Sequence, residues 1–147
     1  MLAGLGMVIG NYASGRLSDV ISPVYVTAIM IGLMFISGVL MFFFAANSYL
    51  ALALMFAGVF GLFGVSGPEQ DLIIDASAGG AVLGASSAQV AFNLGNAVGA
   101  YLGGLPIDFG YSAEYSALPG AVLSILGLIT VFGFNYYYRK GKSAAEK

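Results

Sequence analysis

Ser86, Gln89, Asn93 and Asn96 are the side chains of this sequence best arranged to do chemistry, recurring at intervals of three, four and three. At about 100° per residue they fall within an arc of about 80° on one helical face. Amides and hydroxyls donate and accept hydrogen bonds without changing charge, so the chemistry they offer is recognition of a polar group rather than bond cleavage. Covalent catalysis has little to work with. The 147 residues include no histidine and no cysteine, which excludes Ser–His and Cys–His nucleophile pairs and removes the commonest metal ligands. An aspartyl dyad needs two acids facing each other, and no apolar stretch carries such a pair. The chain is expected to be no enzyme and to hold no metal or cofactor.

Two interpretations of the amide stripe compete. Gln89, Asn93 and Asn96 either hydrogen-bond a neighbouring helix and hold it in place, or line a water-accessible cavity and contact a solute. Three amides on one stripe favour the cavity. Beside them run Gly95, Gly99 and Gly103 at intervals of four, a pattern that lets another helix approach closely. The third face, with Val90, Leu94, Val98 and Leu102, is apolar. A second glycine series, Gly58, Gly61, Gly64 and Gly67, recurs every three residues and reads as helix packing. A nucleotide loop is excluded there, because its lysine is missing. Glu69, Asp71 and Asp75 are expected to be solvated at a helix end. With no acid expected at mid-membrane, no coupling carboxylate of a proton-driven carrier is expected within the chain.

The elements that must position these groups are apolar and long. Hydrophobic residues make up 59% of the chain and charged residues 8%, against roughly 25% charged in a soluble domain. So few charges cannot cover an exterior in water, and lipid is the expected surroundings. Five apolar stretches stand out, at about 2–17, 23–45, 49–75, 81–105 and 115–138, followed by a basic tail over 139–147. Ser22-Pro23 marks a helix start, Asn47-Ser48 a turn, Gly79-Gly80 a break and Pro106 a stop. Pro68 either stops or kinks the third stretch, and Pro119-Gly120 kinks the fifth. The first stretch is shorter than the roughly 20 residues needed to span hydrocarbon, as expected of a helix that begins before Met1. Backbone groups in lipid must be satisfied within each segment, and the runs lack the alternation of a membrane barrel. The fold class is therefore all-α integral membrane, a five-helix bundle.

All five cations lie after the first stretch (Arg16) or after the fifth (Arg139, Lys140, Lys142 and Lys147). With five spans these places share one side, which the positive-inside rule makes cytoplasmic. Tyr136, Tyr137 and Tyr138 would form an aromatic belt on that side, and Tyr49, Tyr111 and Tyr115 on the other. No basic patch is available to neutralise phosphates, so nucleic acid is not an expected partner.

Gly15-Arg16-Leu17-Ser18-Asp19, at the cytoplasmic end of a span, resembles the G-x-L-x-D core of the signature loop of the major facilitator superfamily. Pro68 to Ser77 together with Gln89 to Gly104 are similar to the tenth and eleventh helices of its drug and sugar efflux permeases, in particular the arabinose-efflux type. The resemblance covers essentially the whole chain as helices eight to twelve of twelve. It implies a C-terminal portion of a secondary efflux transporter in the cell (plasma or inner) membrane, exporting a small solute such as a sugar or drug by proton antiport. It also implies that an N-terminal half is missing. By this analogy Gly15 permits close packing, Asp19 accepts hydrogen bonds across the interface between halves, and Gln89, Asn93 and Asn96 border the substrate cavity. The basic cluster usual downstream of the Asp is replaced by Val20 to Pro23, as in the family's degenerate second copy. The other readings are a non-transporting assembly or regulatory protein derived from a permease half, and a homo-oligomeric pore, which the lack of a charged stripe disfavours.

Overall fold

The computed structural model describes residues 1–77 and 79–145. Five helices form: α1 (Leu2–Ser18), α2 (Pro23–Phe44), α3 (Ser48–Ala76), α4 (Ala81–Asp108) and α5 (Ala117–Ala145), with a 3₁₀ turn at Ala113–Ser116 leading into α5. No strand occurs among the described residues. Their starts and stops have local causes. Pro23 occupies the first turn of α2, where its missing N–H is no loss; Ser22 precedes it but its side chain makes no capping bond. Asn47 does cap α3, its side-chain oxygen accepting from the Leu50 N–H at 3.2 Å. Gly79, at a φ of 92°, takes the left-handed conformation that separates α3 from α4.

Proline behaves differently from a simple stop signal. Pro68 lies inside α3, which continues to Ala76. It removes one backbone donor, yet packing holds the helix together, and Pro68 is fully buried. Likewise Pro106 does not end α4, which runs on to Asp108. Past Pro119, α5 continues through the start of the basic tail to Ala145. Of the tail cations, Lys147 lies outside the described residues, as do the side chains of Arg139 and Lys142.

Helix α3 lies between α1 and α2; α2 also packs on α5, and α4 leans on α3, α5 and the 3₁₀ turn. The core is small. Val26, Met30 and Ile31 of α2 meet Val65 of α3, with Leu17, Phe60 and Leu128 around them. Glycine sets the helix separations. A Cβ at Gly61 would stand 2.8 Å from the Met30 carbonyl oxygen, and one at Gly64 would stand 2.7 Å from the Met30 sulfur. Gly10 of α1 lies against the backbone of Phe60. Helix alternation is visible at both ends of the bundle: the Tyr138 hydroxyl donates to the Asp75 carbonyl at 3.5 Å, whereas Phe42 and Tyr115 meet edge-to-face at 5.2 Å at the other end.

Large apolar side chains such as Leu5, Ile29, Phe43, Leu94 and Ile129 are exposed along the helices. A water-soluble chain does not tolerate such a surface, and lipid or further protein must cover it. Three segments, Pro23–Phe44, Ser48–Ala76 and Ala113–Tyr138, are long and apolar enough to cross a membrane. By contrast α1 has 17 residues, and α4, though 28 residues long, is diluted by Ser86, Ser87, its amides and its glycines.

Candidate functional site

Helix α4 presents three distinct sides. The side turned to α3 and α5 carries Gly84 and Ala88, both buried, and half-buried Phe92, Gly99 and Gly103. About 90° around the axis from its centre stand Gln89, Asn93 and Asn96, all exposed. Val90, Leu94 and Val98 are exposed on the opposite flank. The amide side chains of Gln89, Asn93 and Asn96 make no hydrogen bond within the described residues. Among the described residues they form no hydrogen bond to a neighbouring helix. Ser86 differs, its hydroxyl being satisfied by the Val82 carbonyl at 2.8 Å. Along a helix rising about 1.5 Å per residue, Asn93 and Asn96 lie roughly 2 Å either side of the midpoint of α4, and Gln89 about 8 Å towards its start.

One amide reaches a cavity. Between α3 and α4 lies a cavity of about 210 Å³ to which α3 contributes Phe63, Ser66, Glu69 and Gln70, and α4 contributes Ala88, Gln89 and Phe92. Phe63 and Phe92, both in its lining, meet edge-to-face with centroids 6.1 Å apart. Asn93 and Asn96 do not line it. Sequence reasoning placed Glu69 with Asp71 and Asp75 at a solvated helix end. In the structure all three are exposed, in the stretch of α3 that follows Pro68 and ends at Ala76. That Glu69 and Gln89 line one cavity is a tertiary feature with no sequence signal beyond the run Pro68-Glu69-Gln70.

A larger cavity of about 510 Å³ near the far end of α4 is walled by Leu102, Leu105, Phe109, Leu118 and Val122 among others. Its lining surface is almost wholly apolar, so it lacks the convergent polar groups that orient a solute. Among the described residues no group of three carboxylates comes together to hold a metal ion.

The glycines of α4 do not all act alike. At Gly95 and Gly99 an added methyl group would meet nothing within 4 Å; at Gly103 it would meet the Ser116 carbonyl oxygen at 3.7 Å, an ordinary contact. Within this chain, close helix approach therefore belongs to Gly10, Gly61 and Gly64 rather than to Gly95 and Gly99. The G-x-L-x-D segment closes α1. Gly15 faces open space, Arg16 sits over the Tyr12 ring at 5.5 Å, and Asp19 caps the helix with its backbone while its side chain makes no bond within the described residues.

An apolar helical exterior around a few polar, unpartnered side chains defines a multi-pass membrane protein. Its relatives are transporters. AraJ of Escherichia coli, provisionally named a transporter, is 39% identical over 140 residues, 95% of this chain and 36% of that protein. YfhI of Bacillus subtilis, an MFS-type transporter, is 34% identical over 86% of this chain and 32% of its own length. YdhP of Escherichia coli, an inner membrane transport protein, is 33% identical over 90% of this chain and 34% of its own. The chain spans about a third of the length of these curated relatives. No family model and no solved structure matches it. By sequence the chain is similar, over most of its length, to about a third of each of these transporters, which include one of the major facilitator type.

Proposed function

We propose that this stretch forms part of a secondary efflux transporter in the plasma or inner membrane, with α4 bordering the solute path and Gln89, Asn93 and Asn96 supplying hydrogen bonds to a small solute such as a sugar or drug. The observation that carries this reading is the amide flank itself: three exposed, unpartnered amides clustered near the helix midpoint and turned away from the apolar Val90–Leu94–Val98 side. An unpaired amide facing hydrocarbon is costly, so this flank calls for water, solute or protein. In the proposed reading the opposite wall comes from polypeptide equivalent to the remaining two-thirds of the relatives, and export proceeds by rocking of two halves about a midplane site, driven by proton exchange. All five helices then cross the bilayer, with Arg16 and the C-terminal cations in the cytoplasm. Relatives named as transporters also support a protein that carries out no covalent chemistry.

A chimera in which this chain replaces the matched stretch of AraJ tests the reading, with efflux followed for a panel of labelled sugars and cationic dyes. Asn93→Leu removes one hydrogen bond to solute, worth about 1–1.5 kcal/mol, so export at low solute concentration falls about tenfold while membrane expression stays near normal. Equal loss of expression and export would show that the amides hold helices together instead.

A further inference from the structure

Helices α2, α3 and α5 leave a gap where their smallest residues meet. Gly38 of α2 stands against α5, where an added Cβ would lie 3.5 Å from the Ala117 carbonyl oxygen, and one at Gly58 of α3 would lie 3.7 Å from Ser37 Cβ. Beside these contacts is a cavity of about 270 Å³, lined by Met34, Ser37 and Met41 of α2, Met55 and Gly58 of α3, and Ser124 of α5 among others. Most of its lining is apolar, and no charged side chain contributes to it. Ser37 is 4% exposed, and its hydroxyl makes no hydrogen bond among the described residues. It lies seven residues, about 10 Å, before the end of α2, inside an apolar segment where an unpartnered hydroxyl is costly. Ser124 donates to the Gly120 carbonyl at 2.8 Å, which leaves its oxygen able to accept.

We propose that this cavity binds a small uncharged amphiphile with one hydroxyl, such as a medium-chain aliphatic alcohol, whose hydroxyl exchanges hydrogen bonds with Ser37 and whose chain lies among Met34, Met41 and Met55. A group that both donates and accepts suits Ser37, whereas an ion would enter a lining with no counter-charge. Unbranched methionine side chains adapt their shape to a flexible hydrocarbon chain. The volume equals roughly nine water molecules at about 30 Å³ each, room for an alcohol of about seven heavy atoms such as hexanol. Met55 is 37% exposed, which brings the cavity edge to the surface of the bundle, within reach of an amphiphile dissolved in the bilayer. None of Gln89, Asn93 and Asn96 lines this cavity, so the inference is independent of the efflux reading.

The test is photolabelling of the full chain in nanodiscs with a hexanol that carries a diazirine, followed by peptide mapping in a mass spectrometer. Labelling is expected to saturate and to concentrate on the stretch from Met34 to Met41 and around Met55. Excess hexanol suppresses it, and heptane, of matching size but without a hydroxyl, suppresses it about fivefold less well, the worth of one neutral hydrogen bond. Ser37→Ala removes only an unpartnered hydroxyl, so the variant folds and its labelling falls by a similar factor. Gly58→Leu fills the cavity and abolishes labelling; circular dichroism shows whether it folds, and the Ser37→Ala result decides if it does not. Thr130→Val, which removes an exposed hydroxyl elsewhere on α5, leaves labelling unchanged. Unsaturable label spread over the exposed Leu126, Ile129 and Phe132 overturns the site, and is the outcome when water alone fills it. Equal suppression by heptane, full labelling of folded Ser37→Ala, or equal loss in Thr130→Val also overturns it.

Discussion

Replacing Gly61 by alanine tests the bundle at its tightest crossing. The new methyl carbon would lie 2.8 Å from the Met30 carbonyl oxygen and 2.8 Å from Met34 Cγ, about 0.7 Å inside the lower end of the favourable contact range of 3.5–4.0 Å. Met34 can swing its side chain aside. The Met30 oxygen belongs to the backbone of α2 and cannot move unless α2 and α3 separate, which loosens Val26, Met30 and Val65 together. Overpacking of this kind costs about 1–3 kcal/mol. Alanine is also the better helix former, by about 0.8–1.0 kcal/mol in soluble helices, and that gain partly masks the clash. Gly95→Ala separates the two effects, because its methyl meets nothing within 4 Å and only the propensity gain remains. Gly61→Ala is therefore expected to be less stable than Gly95→Ala by about 2 kcal/mol, roughly thirtyfold in the folded-to-unfolded ratio. Titration of the chain in mixed micelles with sodium dodecyl sulfate, followed by circular dichroism, gives both values. If Gly61→Ala proves as stable as Gly95→Ala, the α2–α3 crossing is not held by glycine.

Two further expectations concern polar groups and use the same titration. Asn47→Ala deletes a real cap and is expected to cost about 1 kcal/mol with faster amide exchange at Leu50, whereas Ser22→Ala deletes none and changes stability by less than about 0.5 kcal/mol; equal losses would contradict the capping geometry. Thr27 is 1% exposed and its hydroxyl has no partner, so Thr27→Val is expected to be neutral or stabilising by up to about 1 kcal/mol, and a clear loss would reveal a hydrogen bond made by that hydroxyl.

Much of this molecule was legible from residue type and spacing alone. Scarce charge and long apolar runs dictate helices in lipid, since only helices satisfy every backbone group within one segment. Pro23, Asn47 and Gly79-Gly80 mark helix ends for local reasons that need no partner. Periodicity also fixed the angular relation among Gln89, Asn93 and Asn96, because positions on one helix turn by a constant angle. Where that helix faces is a different matter. Nothing in the spacing distinguishes Gly61 and Gly64, where an added Cβ would run into α2, from Gly95 and Gly99, where it would meet nothing within 4 Å; a helix can rotate about its axis without altering its own pattern, and only its neighbours stop the rotation. Pro68 likewise reads as an end or a kink until packing against α1 and α2 carries α3 onward. That continuation sets Glu69 in the wall of the cavity that Gln89 also lines, and that two residues twenty positions apart share a cavity depends on how two helices are placed against each other.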